Sequence, residues 1–336
     1  MYMLYRISRF FIFLLPPEFS HHFVLKILKI VNFFHLIKPK EIPSEKPILL
    51  NGLLFKNRIG LAAGFDKNAE HINIFQNLGF GFLELGTVTP KPQPGNPKPR
   101  IYRDVNKLAI INSFGFNNVG VKKFIDNIKA SNKSVIIGVN IGKNAITPYE
   151  KSKDDYLKCL RQLYVHGDYI AVNISSPNTQ NLRNLHNIKD LENLIKKIVN
   201  ERIKLHIKFK VFKPIFIKLS PDLNLKEIKP IINLLVRHKI DGVILTNTTI
   251  DKSLVSKAYR NTPGGISGLP LNKKSEEMLI NVKKVSRNKL TIISVGGIMT
   301  PQDAKRRIQL GADLIQLYTG LIYQGPLLVD AIRREL

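Results

Sequence analysis

Cysteine is nearly missing: Cys159 is the single one in 336 residues. That count excludes an intramolecular disulfide and any cysteine-based zinc or iron–sulfur site. Long apolar runs are missing as well. None approaches the ~18 residues that span a bilayer, and the longest near the start, Phe10 to Leu15, is stopped by Pro16 and Pro17. Arg6 and Arg9 ahead of it imitate a secretory signal, but the run is short and no small-residue cleavage site follows. Acidic residues are scarce, 25 Asp+Glu against 52 Lys+Arg, a net charge of +27. The lysines are scattered through nearly every segment beside Ile and Asn, which reads as compositional drift rather than a patch built for nucleic acid. No short repeat marks a solenoid, and no glycine fingerprint of an open dinucleotide-binding sheet follows the first apolar strand.

What is present begins with two apolar stripes. Leu4, Ile7, Phe11 and Leu14 fall at helical spacing, and after the proline pair so do Phe19, Phe23, Ile27 and Ile30, flanked by Val24, Leu28 and Val31. The pattern predicts two amphipathic helices broken by proline. Arg6, Arg9, Lys26 and Lys29 add positive charge, so the pair suits either a membrane interface or packing against a main domain. A proline-rich stretch, 38–47, reads as an extended linker. The chain thus divides into a helical extension, 1–40, and a catalytic-sized domain, 41–336.

The larger part alternates strand and helix. Apolar or β-branched segments recur at 59–64, 82–89, 135–142, 169–176, 214–220, 242–249, 291–297 and 314–320, with charged helix-like stretches such as 154–165, 191–203 and 225–238 between them. Near-continuous apolar strands separated by helices imply a parallel sheet, and eight such units predict an α/β fold of the (β/α)8 TIM-barrel type.

The ends of these segments carry the chemistry. Ala63, Gly64, Phe65, Asp66 and Lys67 follow the first, Thr87 the second, Asn140 the third, and Asn173 through Asn178 the fourth. Lys218 sits in the fifth, Thr246 through Thr249 close the sixth, Gly296-Gly297 the seventh and Tyr318-Thr319-Gly320 the eighth. A barrel brings all these ends to one face, and often binds phosphate after its last two strands. Lys218 lies in an apolar strand, where an uncompensated ammonium is costly. Its partner is either a ligand that gathers negative charge or a barrel carboxylate such as Glu84. Cys159 falls in helical register with Tyr156 and Leu163 and reads as core.

The spaced motifs resemble those of class 2, quinone-dependent dihydroorotate dehydrogenases. They are Ala-Ala-Gly-Phe-Asp-Lys-Asn at 62–68, Glu-Leu-Gly-Thr-Val-Thr-Pro at 84–90, Pro-Gly-Asn-Pro-Lys-Pro-Arg at 94–100, the segment 112–118, Asn140 to Asn144, 173–178, 241–249, Gly264 to Gly268 and Gly296-Gly297. The resemblance runs over essentially the whole chain, the helical extension included. It implies oxidation of dihydroorotate to orotate, an FMN cofactor and a membrane quinone as acceptor. It also implies peripheral attachment through residues 1–40 to the cytoplasmic side of the cell inner membrane or cytoplasmic membrane, no metal, and no nucleic-acid partner.

Carried over position by position, the resemblance implies flavin contacts from Ala63, Gly64, Phe65, Asp66, Lys67, Thr87, Asn140, Asn173, Lys218, Thr246, Gly268, Gly297, Tyr318 and Thr319. It implies substrate contacts from Lys67, Asn112, Ser113, Phe114, Gly115, Phe116, Asn173, Asn178, Asn247 and Thr248. Ser176 takes the place of the catalytic base, where class 1 relatives carry cysteine. His21 and Arg103 match polar positions near a quinone tunnel, with Tyr318 toward its inner end. The chain departs from the family pattern at Ser113 and Leu269, where a basic residue is common, and at Phe65, where leucine is frequent. Two rival readings are a flavin barrel acting on RNA, whose relatives use a catalytic cysteine where this chain has Ser-Ser-Pro-Asn, and a catalytically silent basic scaffold.

Overall fold

The computed structural model describes residues 2–34, 36–38, 46–179 and 182–336. The boundary between extension and barrel, and most of the expected linker, lie outside the described residues.

Two helices lead, α1 (Tyr2–Leu14) and α2 (Pro17–Phe33). Pro16 separates them in extended conformation, and Pro17 occupies the first helical turn, where its missing N–H costs nothing. A hairpin follows, Ile48–Leu50 with Leu53–Phe55, turning on Asn51 and Gly52, both at positive φ.

Eight parallel strands then close into a barrel in chain order: Ile59–Leu61, Phe82–Val88, Ile136–Ile141, Tyr169–Asn173, Ile215–Leu219, Gly242–Leu245, Thr291–Val295 and Leu314–Leu317. Each falls inside a segment expected from the apolar pattern, and closure rules out the open-sheet alternative. Helices cover the outside, several begun by well-formed caps. Asn224 and Glu227 form a reciprocal capping box, and Thr300 and Asp303 another with Pro301 in the first turn. Cys159 is buried in the helix Ser152–Leu163, as its register suggested.

The barrel interior is stacked in layers. At the amino end of the strands lie Phe82, Tyr169 and Phe216, each opposite a glycine in the neighbouring strand: Gly60, Gly138 and Gly242. A Cβ on these glycines would stand 2.3, 2.0 and 2.4 Å from the facing ring. The rings therefore fill space that the glycines leave, and Phe55 of the hairpin packs on Phe82 from below at 5.3 Å. Two positions further along, the inward side chains turn polar, with Glu84 and Lys218 from strands two and five and Gln316 from strand eight.

One addition to the barrel was not expected from the sequence. Ile101–Asp104, Ala109–Asn112 and Gly265–Gly268 form a three-stranded antiparallel sheet, with Ala109–Asn112 in the middle. It brings Asn112 and Gly268 beside the carboxyl rim.

Gly138→Ala should force Tyr169 out of its layer. Overpacking of this kind costs about 1–3 kcal/mol. A melting temperature unchanged from the parent protein would show that the layer is not tightly interlocked.

Candidate active site

The carboxyl rim holds a cleft of about 960 Å³. Of the expected residues, Ala63, Gly64, Lys67, Thr87, Asn112, Phe114, Gly115, Phe116, Asn173, Ser176, Asn178, Lys218, Thr246, Asn247, Thr248, Gly268, Gly297, Tyr318 and Thr319 line it. They come from the ends of seven barrel strands and from the added sheet.

Four expected residues do not line it. The Phe65 ring turns toward α2, meeting His21 at 5.2 Å and Tyr318 at 5.2 Å. Asp66 turns into its own loop, accepting from the backbone N–H of Glu70 and His71 at 3.0 and 2.8 Å, and burial raises its pKa. Ser113 is held by its backbone, between Arg100 O and Asn96 Nδ2. Asn140 lies behind the wall, bonded to Glu84 and Thr87.

Several lining residues escaped the sequence reading, chiefly Ser267, Leu271 and Gln316. Gln316 carried a usable signal, a polar residue inside the apolar strand Leu-Ile-Gln-Leu, as Lys218 did.

The polar groups are interlinked. Asn178 Nδ2 donates to Asn112 O and Oδ1 at 3.0 and 3.2 Å. Asn247 Nδ2 donates to Asn173 Oδ1 at 3.3 Å and Ser175 Oγ at 3.1 Å. Ser176 Oγ accepts from the Asn178 N–H at 3.3 Å. Lys67 Nζ sits 3.6 Å from the centre of the Phe114 ring, and burial with the Arg100 charge lowers its pKa to about 8. Lys218 Nζ faces Glu84 Oε1 at 3.5 Å while also lining the cleft, so the ammonium has an internal partner and a ligand-facing side.

The donors and acceptors suit a polar cofactor with a ring system and a phosphate. Thr248 Oγ1 and Gln316 Oε1 are buried without a hydrogen-bond partner, and both residues line the cleft. Such atoms call for a bound partner. Gly296 and Gly297, at φ +119° and +74°, hold a turn that other residues adopt only with strain, and they lie beside Thr319 and Gly320. Among the described residues no group of His, Cys, Asp or Glu could hold a metal ion.

A second cavity, of about 1270 Å³, runs beneath α1 and α2 and is almost wholly apolar. Tyr318 lines both cavities. Ile12, Phe13, Val24, Leu25 and Leu28 face this passage, and His21 and Arg103 are among its polar members, with Ser8, Arg9 and Ser20. Burial, with the Lys67 charge next, holds the His21 pKa down to about 3, so the ring is neutral. Arg103 grips the turn between the helices, donating to Phe13 O, Leu15 O and Ser20 Oγ at 2.9, 3.0 and 2.8 Å. The opposite face of the pair leaves Phe10, Phe11, Leu14, Phe19, Phe23 and Ile30 exposed. The helices therefore have one apolar face over the passage and another toward the outside, and neither expected alternative excludes the other. No helix among the described residues is long and apolar enough to cross a membrane.

A family model described as dihydroorotate dehydrogenase matches residues 48–336, from the hairpin to the last residue. The chain belongs to the dihydroorotate dehydrogenase family. Among relatives named dihydroorotate dehydrogenase (quinone), that of Buchnera aphidicola subsp. Schizaphis graminum is 48% identical, with 99% of this chain and 100% of the relative covered. One from Neisseria meningitidis serogroup C / serotype 2a is 47% identical, with 99% of each covered. The crystal structure of the Eimeria tenella enzyme in complex with ferulenol superposes with a TM-score of 0.86 at 34% identity, over 95% of this chain and 90% of that one. Relatives of this dehydrogenase family thus match the helical pair as well as the barrel.

Arg103→Leu removes three hydrogen bonds to a charged donor, each worth about 1.5–3 kcal/mol. The helical pair should then open more often, and limited proteolysis within α1–α2 should run at least roughly tenfold faster while the barrel stays resistant. Equal cleavage rates would show that the pair is held elsewhere.

Proposed function

We propose that this protein oxidises dihydroorotate to orotate in pyrimidine (UMP) synthesis, with FMN in the cleft and a membrane quinone as the final electron acceptor. The observation that carries the reading is the meeting of the two cavities at Tyr318, where a cleft lined by asparagines and lysines adjoins an apolar passage. A polar substrate and an apolar acceptor thereby reach the same centre from different surroundings.

FMN, when bound, supplies a two-electron acceptor between the two. The Gly296–Gly297 and Thr319–Gly320 turns would hold its phosphate, and Thr87, Asn173, Lys218 and Thr246 its ring system. Lys218 offers positive charge where negative charge accumulates on reduction. Asn112, Asn173, Asn178 and Asn247 would surround the substrate ring. Each amide carries donors and an acceptor, so the four match an imide-like edge without adding charge. Lys67 neutralises the substrate carboxylate.

Ser176 takes the proton from the substrate carbon. Its oxygen already accepts the Asn178 N–H, which steadies the oxygen as negative charge develops on it. No carboxylate or imidazole among the described residues bonds to this hydroxyl, so its own proton passes to water. The exposed apolar face of α1–α2, with Lys26 and Lys29 nearby, attaches the protein peripherally to the cytoplasmic membrane and opens the passage toward quinone.

Ser176→Ala should retain flavin but slow its reduction by dihydroorotate by at least ~10²-fold, read by anaerobic stopped-flow; bleaching at the parental rate would remove Ser176 from the role. Orotate binding tests Lys67. Below pH 8 the ammonium is intact and affinity should be flat, whereas above the free-state value of about 8 the dissociation constant should climb about tenfold per pH unit. A flat profile from pH 6 to 10 would place the carboxylate elsewhere.

A further inference from the structure

One buried charge in the barrel has no place in the chemistry above. Glu84 is fully buried, on the cleft side of the aromatic layer. Its Oε1 accepts from Asn140 Nδ2 at 2.8 Å and faces Lys218 Nζ at 3.5 Å. Its Oε2 accepts from Gln316 Nε2 at 2.7 Å and Tyr169 Oη at 3.2 Å. Burial and the Glu84 charge push the Tyr169 phenol up, so it stays a donor.

An ionised carboxylate accepts hydrogen bonds and donates none. That restriction passes along a chain. Asn140 must turn its NH2 toward Glu84, leaving its oxygen to accept from Thr87 Oγ1 at 2.5 Å. The Thr87 hydroxyl, its proton committed, accepts from Asn173 Nδ2 at 3.1 Å. Asn173 is left with its oxygen toward Asn247 Nδ2 at 3.3 Å and the Ser175 N–H at 3.3 Å. The far end of the chain is fixed independently, because the Ser175 and Thr248 N–H groups only donate and hold the Asn173 and Asn247 oxygens. Glu84 therefore sets the sense of Asn140 and, through it, of the Thr87 hydroxyl at the cleft wall.

We propose that Glu84 is a positioning residue that orients Asn140 and the Thr87 hydroxyl and balances the Lys218 ammonium, and thereby tunes the flavin potential. The inference rests on the flavin-and-orotate reading of the cleft.

Glu84→Gln keeps the shape, adds a donor and removes the charge. Two quantities are measured on the flavin-loaded full chain: the flavin midpoint potential by dye equilibration, and the orotate dissociation constant from the flavin spectrum. Lys218, no longer balanced, should favour the reduced flavin at least tenfold more, a rise of about 30 mV for two electrons. Orotate binding should stay near the parental value, since the Ser175 and Thr248 N–H groups keep the Asn173 and Asn247 oxygens in place; a loss of about tenfold would show that the shift in potential comes from a distorted cleft and overturn the inference. Tyr169→Phe keeps the charge but removes one donor from it. The carboxylate then pulls harder on Lys218, and the potential should move the opposite way. If Glu84→Gln does not fold, the sign of that shift decides alone. Flavin-loaded variants with the parental potential overturn this inference and leave the cofactor reading standing. A parent protein that takes up no flavin overturns both.

Discussion

Closing a parallel sheet on itself gives all eight strands one polarity, so all eight carboxyl ends open on a single rim. The rest of this molecule depends on that closure, and closure depends on filling the interior. Here three aromatic rings do so, because the residue paired with each across the ladder is glycine. The rings exclude water from below and leave the next layer in a medium of low dielectric. There the facing charges of Glu84 and Lys218 act over a few ångströms with little screening. The cleft above inherits a polar floor whose groups are already committed to one another, which is the preorganisation that binding and catalysis draw on.

The helical pair is joined to the same rim through a short set of contacts. Glu18 of α2 pairs with Arg100 at 2.8 Å. Arg100 also donates to Pro94 O and Asn96 O, fastening the proline-rich loop. Asn96 in turn donates to Ser113 O and Asn178 O, beside the Asn112–Asn178 side of the cleft. The segment with the most exposed apolar surface is thus mechanically continuous with the loops that line the cleft. Arg103 adds a second anchor at the turn between the helices, and its guanidinium also lies 4.4 Å from the Phe13 ring centre. That anchor accounts for a polar residue beside an apolar passage without giving it a chemical task there.

Legibility from the amino-acid string varied with the kind of signal. Buried parallel strands are apolar on both faces, so they stand out as short continuous runs, and each barrel strand was visible in this way. The helical pair was visible from its spacing, but its two apolar faces were not separable, because spacing shows that a stripe exists and not what covers it. The added antiparallel sheet was invisible. Its strands are four residues each, one begins and ends in glycine, and Gly265–Gly268 pairs with a strand far back in the chain. Strand ends pointed to most of the cleft, while Phe65, Asp66 and Asn140 were placed in it by motif and find partners outside its lining, and Ser113 is bonded there only through its backbone.

The sequence by itself determined the fold class, the family and the set of residue types gathered at one rim. These follow from apolar periodicity, from strand polarity and from motifs local to each strand end, all of which can be read along the chain. Only the tertiary structure decided which side chains face the cleft, that Lys218 has Glu84 as its internal partner, and that two cavities meet at Tyr318. Those outcomes depend on pleat, register and packing between residues distant in sequence, where a side chain's direction is settled by the partner it finds.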